Sequence, residues 1–227
     1  MGAAQPVAYS QEQFFEAIRA GDASRVSELL DLAPHLSGAR TADGASAVLF
    51  AIYSGHSQLV ELFEQRGVPL NLFEACAAGR RARVAALLDA APSRLREYSE
   101  DGFPPLGLAV FFGHDDIARM LIESGADVNA ASRNSLRVTP LHAAATRLNA
   151  PLVETLLARG ADPDAEQAGG FAPLDSAAFR GHRQIVELLL GYGANPRHRT
   201  ADGKTAADLA AAAGHPDLAA QLAQLAE

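Results

Sequence analysis

Residues 138–145 read VTPLHAAA, a histidine set between a proline and a run of alanines. Thr139 suits a helix N-cap, Pro140 the first helical position, and Leu141 opens an apolar face. His142 then falls at the third helical position, from which a polar side chain reaches back toward the cap. The alanines that follow are strong helix formers, small enough to let another helix approach closely. A catalytic or metal-binding histidine needs an acidic, thiol or second imidazole partner, and none lies near in sequence. His142 therefore reads as scaffold.

The same grammar recurs along the chain. Gly-His pairs stand at Gly55-His56, Gly113-His114, Gly181-His182 and Gly214-His215. Gly21-Asp22 and Gly79-Arg80 fit the same slot, and Leu148-Asn149 fills the remaining one. Successive slots are separated by 34, 24, 34, 35, 33 and 33 residues, which makes seven units with one short step. In each unit a short Ala-rich helix ends at the slot and a longer helix follows. The stretch QIVELLLGYGANP shows the longer one, with Ile185, Val186, Leu188, Leu189 and Leu190 on one broad apolar face. Glycines suited to a left-handed C-cap follow at Gly67, Gly125, Gly160 and Gly193. Asp-Gly turns stand at Asp43-Gly44, Asp101-Gly102 and Asp202-Gly203.

VTPLHAAA, with the unit endings ESGADVNA, ARGADPDA and GYGANPRH, resembles the ankyrin-repeat family over roughly residues 11–225. The resemblance implies an all-α solenoid of about seven helix-turn-helix units with short β-hairpin fingers. Stacking also follows from the sequence, because a two-helix unit cannot bury its apolar face alone. Residues 10–227 are expected to form a single repeat domain, with units near 10–40, 41–71, 72–99, 100–134, 135–166, 167–199 and 200–227. Residues 1–9 are expected to be mobile. Ser10 with Gln13 reads as a capped start of the array. Four units depart from the TPLH pattern, reading ASAVLFAI, FPPLGLAV, FAPLDSAA and KTAADLAA, so their capping should differ.

The short step has a cause in the sequence. Residues 14–71 and 72–129 align at an offset of 58, pairing Phe15-Glu16-Ala17 with Phe73-Glu74-Ala75 and Pro34 with Pro92. A two-unit module thus occurs twice, and the second copy begins directly after RGVPLN. No room is left for a finger between Asn71 and Leu72, so a gap in the finger row is expected there.

Composition narrows the function. The 227 residues are 48% hydrophobic and 20% charged, which argues against wholesale disorder. A net charge of −8, with the basic clusters GRRAR and RHRT diluted by acid, does not suit a nucleic-acid binder. No apolar run reaches membrane-spanning length, and a cytoplasmic monomer is expected. The single cysteine, Cys76, sits in FEACAAGR and reads as a buried, inert thiol. Repeat grammar explains five of the seven histidines and leaves His35 and His198, far apart in sequence, so no metal or cofactor is expected. Asp115-Asp116 reads as an N-cap and a dipole partner.

The residues that repeat grammar leaves free are Tyr53, Phe103, Phe111, Phe112, Arg147, Phe171, Phe179 and Arg180. The resemblance implies binding on the concave side, through the fingers and the ends of the short helices, where these positions fall. Aromatic and Arg residues dominate interface hot spots. The expected function is non-catalytic binding of an unidentified partner protein or peptide in that groove. The alternative is an enzyme or small-molecule binder that uses the groove as a pocket.

Overall fold

The computed structural model describes residues 10–226, so the segment 1–9 expected to be mobile lies outside the described residues. Helix–turn–helix pairs follow one another: α1 (Gln11–Ala20) with α2 (Ala23–Leu32), α3 (Ala47–Tyr53) with α4 (Ser57–Gln65), and α5 (Leu72–Ala77) with α6 (Arg81–Ala90). They continue as α7 (Pro105–Phe112) with α8 (Asp115–Glu123), and α9 (Pro140–Thr146) with α10 (Ala150–Ala158). The last two pairs are α11 (Pro173–Phe179) with α12 (Arg183–Gly191), and α13 (Ala206–Ala212) with α14 (Pro216–Leu225). The odd-numbered helices form one contiguous row, each touching the next. A single apolar core runs along it from Phe14 to Leu222, as stacked units require.

Local chemistry sets the helix starts. Ser10 with Gln13, Asn71 with Glu74, Thr139 with His142 and Thr205 with Asp208 each form a reciprocal capping box. Of the departures from TPLH, ASAVLFAI and FPPLGLAV differ in capping: Ser46 caps α3 through the Leu49 N–H, and α7 opens on Pro104-Pro105 with no side-chain cap. KTAADLAA instead keeps a threonine capping box at Thr205. Asp115 and Asp116 are not N-caps, because His114 occupies that position. Asp115 instead accepts a hydrogen bond from the Asn149 amide at 2.6 Å.

The 58-residue duplication is reproduced in three dimensions. Short 3-10 turns at Pro34–Gly38 and Pro92–Arg96 occupy corresponding places in the two copies. His56 donates to the Arg19 carbonyl and His114 to the Ala77 carbonyl, a pair of bonds shifted by the same offset.

The fingers are tight loops rather than paired strands; among the described residues the sole bridge is Arg40 with Ser46. Each closes on itself, as in Thr41 N–H to Ala45 carbonyl (2.9 Å) and Ser99 N–H to Phe103 carbonyl (2.9 Å). The helix α5 has no finger, since its cap Asn71 follows α4 after a short turn. The row nevertheless closes over the gap. Arg40 and Glu100, on the fingers ahead of α3 and α7, form an ion pair at 2.9 Å, and a Cβ on Gly44 would lie 3.0 Å from the Glu100 backbone.

Candidate functional site

A cavity of about 1200 Å³ lies where the fingers ahead of α3, α7 and α9 face the helices α1 and α3. Phe15, Phe50, Tyr53, Tyr98 and Phe103 supply its aromatic lining, with Arg19 and Arg133 among its charged groups. The rings support one another: Phe15 meets Phe50 edge-on at 5.2 Å, and Tyr53 lies 6.4 Å from Phe103 and 5.6 Å from Phe112. Phe111 continues the cluster, 6.4 Å from Phe103 and 5.1 Å from Phe112. These spacings are in the range where aromatic pairs attract.

Side chains of α3 and α7 meet because the helix between them ends in small residues. Counting back from the glycine slot, α5 presents Ala77 and Ala78 where α3 presents Tyr53 and Ser54 and α7 presents Phe111 and Phe112. Small residues and a missing finger leave the space in which Tyr53 reaches Phe112.

The acids at this site are largely satisfied. Asp101 is buried; one oxygen accepts the Tyr53 hydroxyl at 2.6 Å and the other accepts the Ser99 hydroxyl. Burial, together with the Asp101 carboxylate, pushes the Tyr53 hydroxyl above the ordinary tyrosine range. Asp101 is thus engaged on both sides and holds the Tyr53 side chain over the cleft.

The histidines explain how neighbouring pairs lock. Slot glycines adopt left-handed φ, +69° at Gly21 and +73° at Gly79, and the imidazole of the next pair lies against each. A Cβ on Gly21 would come within 2.7 Å of His56, and one on Gly79 within 2.6 Å of His114. His142 is fully buried: its Nε2–H donates to the Phe171 carbonyl at 3.0 Å, and Nδ1 faces the Thr139 hydroxyl at 2.8 Å. Burial lowers its pKa below the usual histidine value, keeping it neutral. His198 pairs with Asp175 at 3.0 Å and Glu166 at 3.4 Å, while His35 sits in the first 3-10 turn. No group of three or more His, Cys, Asp or Glu among the described residues is placed to hold a metal ion.

Family profiles match this pattern: one for ankyrin repeats (3 copies) covers residues 14–132 and 141–227, and a second for ankyrin repeats (many copies) covers 108–157. The chain belongs to the ankyrin-repeat family. It is 35% identical over 96 residues to the ankyrin repeat and KH domain-containing protein mask of Drosophila melanogaster, covering 42% of this chain and 2% of that one. The ankyrin repeat and KH domain-containing protein 1 of Homo sapiens gives 35% over 96 residues, 42% of this chain and 4% of its own length. Alpha-latrocrustotoxin-Lt1a of Latrodectus tredecimguttatus is 42% identical over 66 residues, 29% of this chain and 4% of the toxin. This chain therefore spans only a few per cent of each of these relatives.

Within the ankyrin frame the eight residues singled out by sequence separate. Tyr53, Phe103, Phe111 and Phe112 come together in one cluster. Phe171 and Phe179 do not join it; Phe171 is half-buried beside Gly169, and Phe179 is 52% exposed with Arg180 next to it on the surface. Arg147 serves the scaffold, since it donates to the Phe111 carbonyl at 3.1 Å and its guanidinium covers Gly113. It replaces the slot histidine that Asn149 cannot supply. Sequence reasoning missed Phe15, Arg19, Phe50, Tyr98, Arg133 and Leu136 as cleft residues. The duplication held a signal for one of them, because Tyr98 corresponds to the finger residue Arg40.

Proposed function

We propose that this ankyrin-repeat array is a non-catalytic interaction module that receives a partner protein or peptide in the cleft over α1 and α3. Ankyrin repeats are in general protein–protein interaction modules, and proteins of the family are typically non-catalytic. The observation that carries the reading is a pair of aromatic clusters at the cleft, Phe15 with Phe50 and Tyr53 with Phe103, Phe111 and Phe112. Leu136 and Phe111 are 51% and 46% exposed at the borders. Exposed aromatic and apolar side chains gathered around a cleft are the anchors that hot spots use. The protein acts as a cytoplasmic monomer in this reading. No helix among the described residues is long and apolar enough to cross a membrane.

The competing reading, catalysis or small-molecule binding in the groove, draws no support from the titratable groups. Asp101 is spent on two hydroxyls, and burial pushes the Cys76 thiol up to about 12. The cavity is also larger than the roughly 300–1,000 Å³ typical of small-molecule sites.

The test compares proteins captured from source cells by the wild-type chain, by Phe111→Ala with Leu136→Ala, and by Phe179→Ala. The first variant should weaken capture of the specific partner by about 2 kcal/mol or more at unchanged melting temperature. A partner lost on Phe179→Ala, and kept by the double variant, would move the site to α11.

A further inference from the structure

The arginines of this chain divide into two kinds. Arg40, Arg66 and Arg80 each hold a carboxylate, at 2.9, 2.7 and 2.7 Å. Arg19 and Arg133 do not. The Arg133 guanidinium carbon lies 3.7 Å from the centre of the Tyr98 ring, and that of Arg19 lies 5.6 Å from the centre of Phe50. Neither side chain has a hydrogen-bond or ion-pair partner among the described residues. Both line the same cleft.

An aromatic face attracts a guanidinium without using its N–H edge, so five donors on each arginine stay available. Stacking also restricts the rotamers of a long side chain before any partner arrives, which lowers the entropic cost of binding. The cleft's carboxylates do not pair with these guanidinium groups. Asp101 is taken by Tyr53 and Ser99, and Glu100 by Arg40. Asp43, exposed at the lip, is the remaining acid of the lining. The cleft thus holds two guanidinium groups without carboxylate partners, in a chain whose net charge is −8.

We propose that the occupant of the cleft is an acidic segment of a partner protein, with Asp or Glu carboxylates received by Arg19 and Arg133 and an apolar side chain between them set against Phe50, Tyr53 and Leu136. This rests on the interaction-module reading above and gives its partner a chemistry. Arginine forks match carboxylates bidentately, and the aromatic walls take the apolar anchor. A cavity of about 1200 Å³ accommodates several residues of an extended segment.

The test is selection of short random linear peptides on the full chain, followed by polarisation binding of a labelled selected peptide. Three proteins are compared: wild type, Arg19→Gln with Arg133→Gln, and Leu136→Ser, with melting temperatures as the folding control. Selected sequences should be rich in Asp and Glu flanking an aromatic or Leu residue. The arginine variant should weaken them about tenfold or more, and raised salt should weaken them on the wild type only. Neutral or basic selected peptides that ignore the arginine variant would overturn the acidic occupant; if they still lose affinity with Leu136→Ser, the cleft itself stands. Peptides indifferent to all three substitutions would remove the cleft as the site. A selection that yields no binder, or a single-stranded oligonucleotide that displaces the selected peptide, would also overturn the proposal.

Discussion

The two ends of the finger row are joined by different chemistry. From α7 onward, adjacent fingers are stitched through backbone: Arg133 N–H to the Gly102 carbonyl (2.7 Å), Ala168 N–H to Leu136 (2.9 Å) and Ala201 N–H to Gly169 (2.9 Å). Around α5 the stitching lapses, and side chains make the connection. Ser46 donates to the buried Glu74 at 2.6 Å, Tyr53 to Asp101 at 2.6 Å, and Arg40 reaches Glu100 across the gap. Backbone stitching is repeated with little regard to side-chain type, so it builds a uniform surface. Where it stops, residues from non-adjacent pairs must fit one another, and an aromatic cleft forms that the regular end lacks.

The largest effect is expected in the regular end. His142→Ala should cost about 3 kcal/mol, since it removes one of the two donors to the Phe171 carbonyl, leaving the Gln167 N–H, and opens a void in the core. The sign of the pH dependence follows from burial. The folded pKa of His142 lies below its unfolded value near 6.5, so the unfolded chain binds the proton more readily. Stability therefore falls as pH drops through about 6.5, and chemical denaturation of the Ala variant should show a shallower fall.

Glycines distinguish stitched fingers from solvent-facing ones. A Cβ on Gly102 would lie 2.9 Å from the Asn134 nitrogen, whereas Gly203 has open space around it; both have positive φ, +89° and +76°. Gly102→Ala should cost between about 2 and 3 kcal/mol and Gly203→Ala about 1, the cost of the left-handed backbone alone. Equal losses would mean that finger-to-finger contact contributes nothing to the stack. In the irregular end, Ser46→Ala removes the hydroxyl that Glu74 accepts inside the core. A loss of about 2 kcal/mol in urea titration is expected; no loss would show that this side-chain tie is decorative.

The smallest effect belongs to Asp175, which occupies in α11 the position His142 holds in α9. It accepts from the Ala172 N–H and from His198, but its Oδ1 is buried without a partner. Desolvation raises its pKa above 3.8, against the opposing pull of the Ala172 N–H and His198. A raised acid binds its proton more tightly when folded, so stability declines as pH rises from 3.8 through the folded value, opposite to His142. Asp175→Asn should change stability by less than about 1 kcal/mol near neutrality and abolish that decline on a pH series of melts.

The helices, the caps at Ser10 and Thr139 and the missing finger at Asn71 were all legible, because each is set by residues within a few positions of one another. The duplication was legible because it is a copy. The cleft was only half legible. Tyr53, Phe103, Phe111 and Phe112 stood out as residues with no scaffold duty, but Phe15, Phe50, Tyr98 and Arg133 join them through folding that closes two fingers over a gap. Spacing predicted the gap; it carried no information on whether the neighbours would meet across it. Arg147 reads as a binding residue from sequence because repeat grammar assigns it no duty, yet its slot reads Leu148-Asn149. With no histidine there, and Leu148 itself held at φ +59°, the neighbouring arginine took over the contact to the preceding helix.

The most direct test of the cleft as the binding site is amide hydrogen exchange on the full chain with and without its bound peptide or captured partner. Added protection should fall on residues 41–45, 98–103 and 133–136, and leave the fingers at 167–171 and 200–204 as they are in the free chain. Protection confined to those last two fingers and to the end of α11, with the cleft unchanged, would contradict the account.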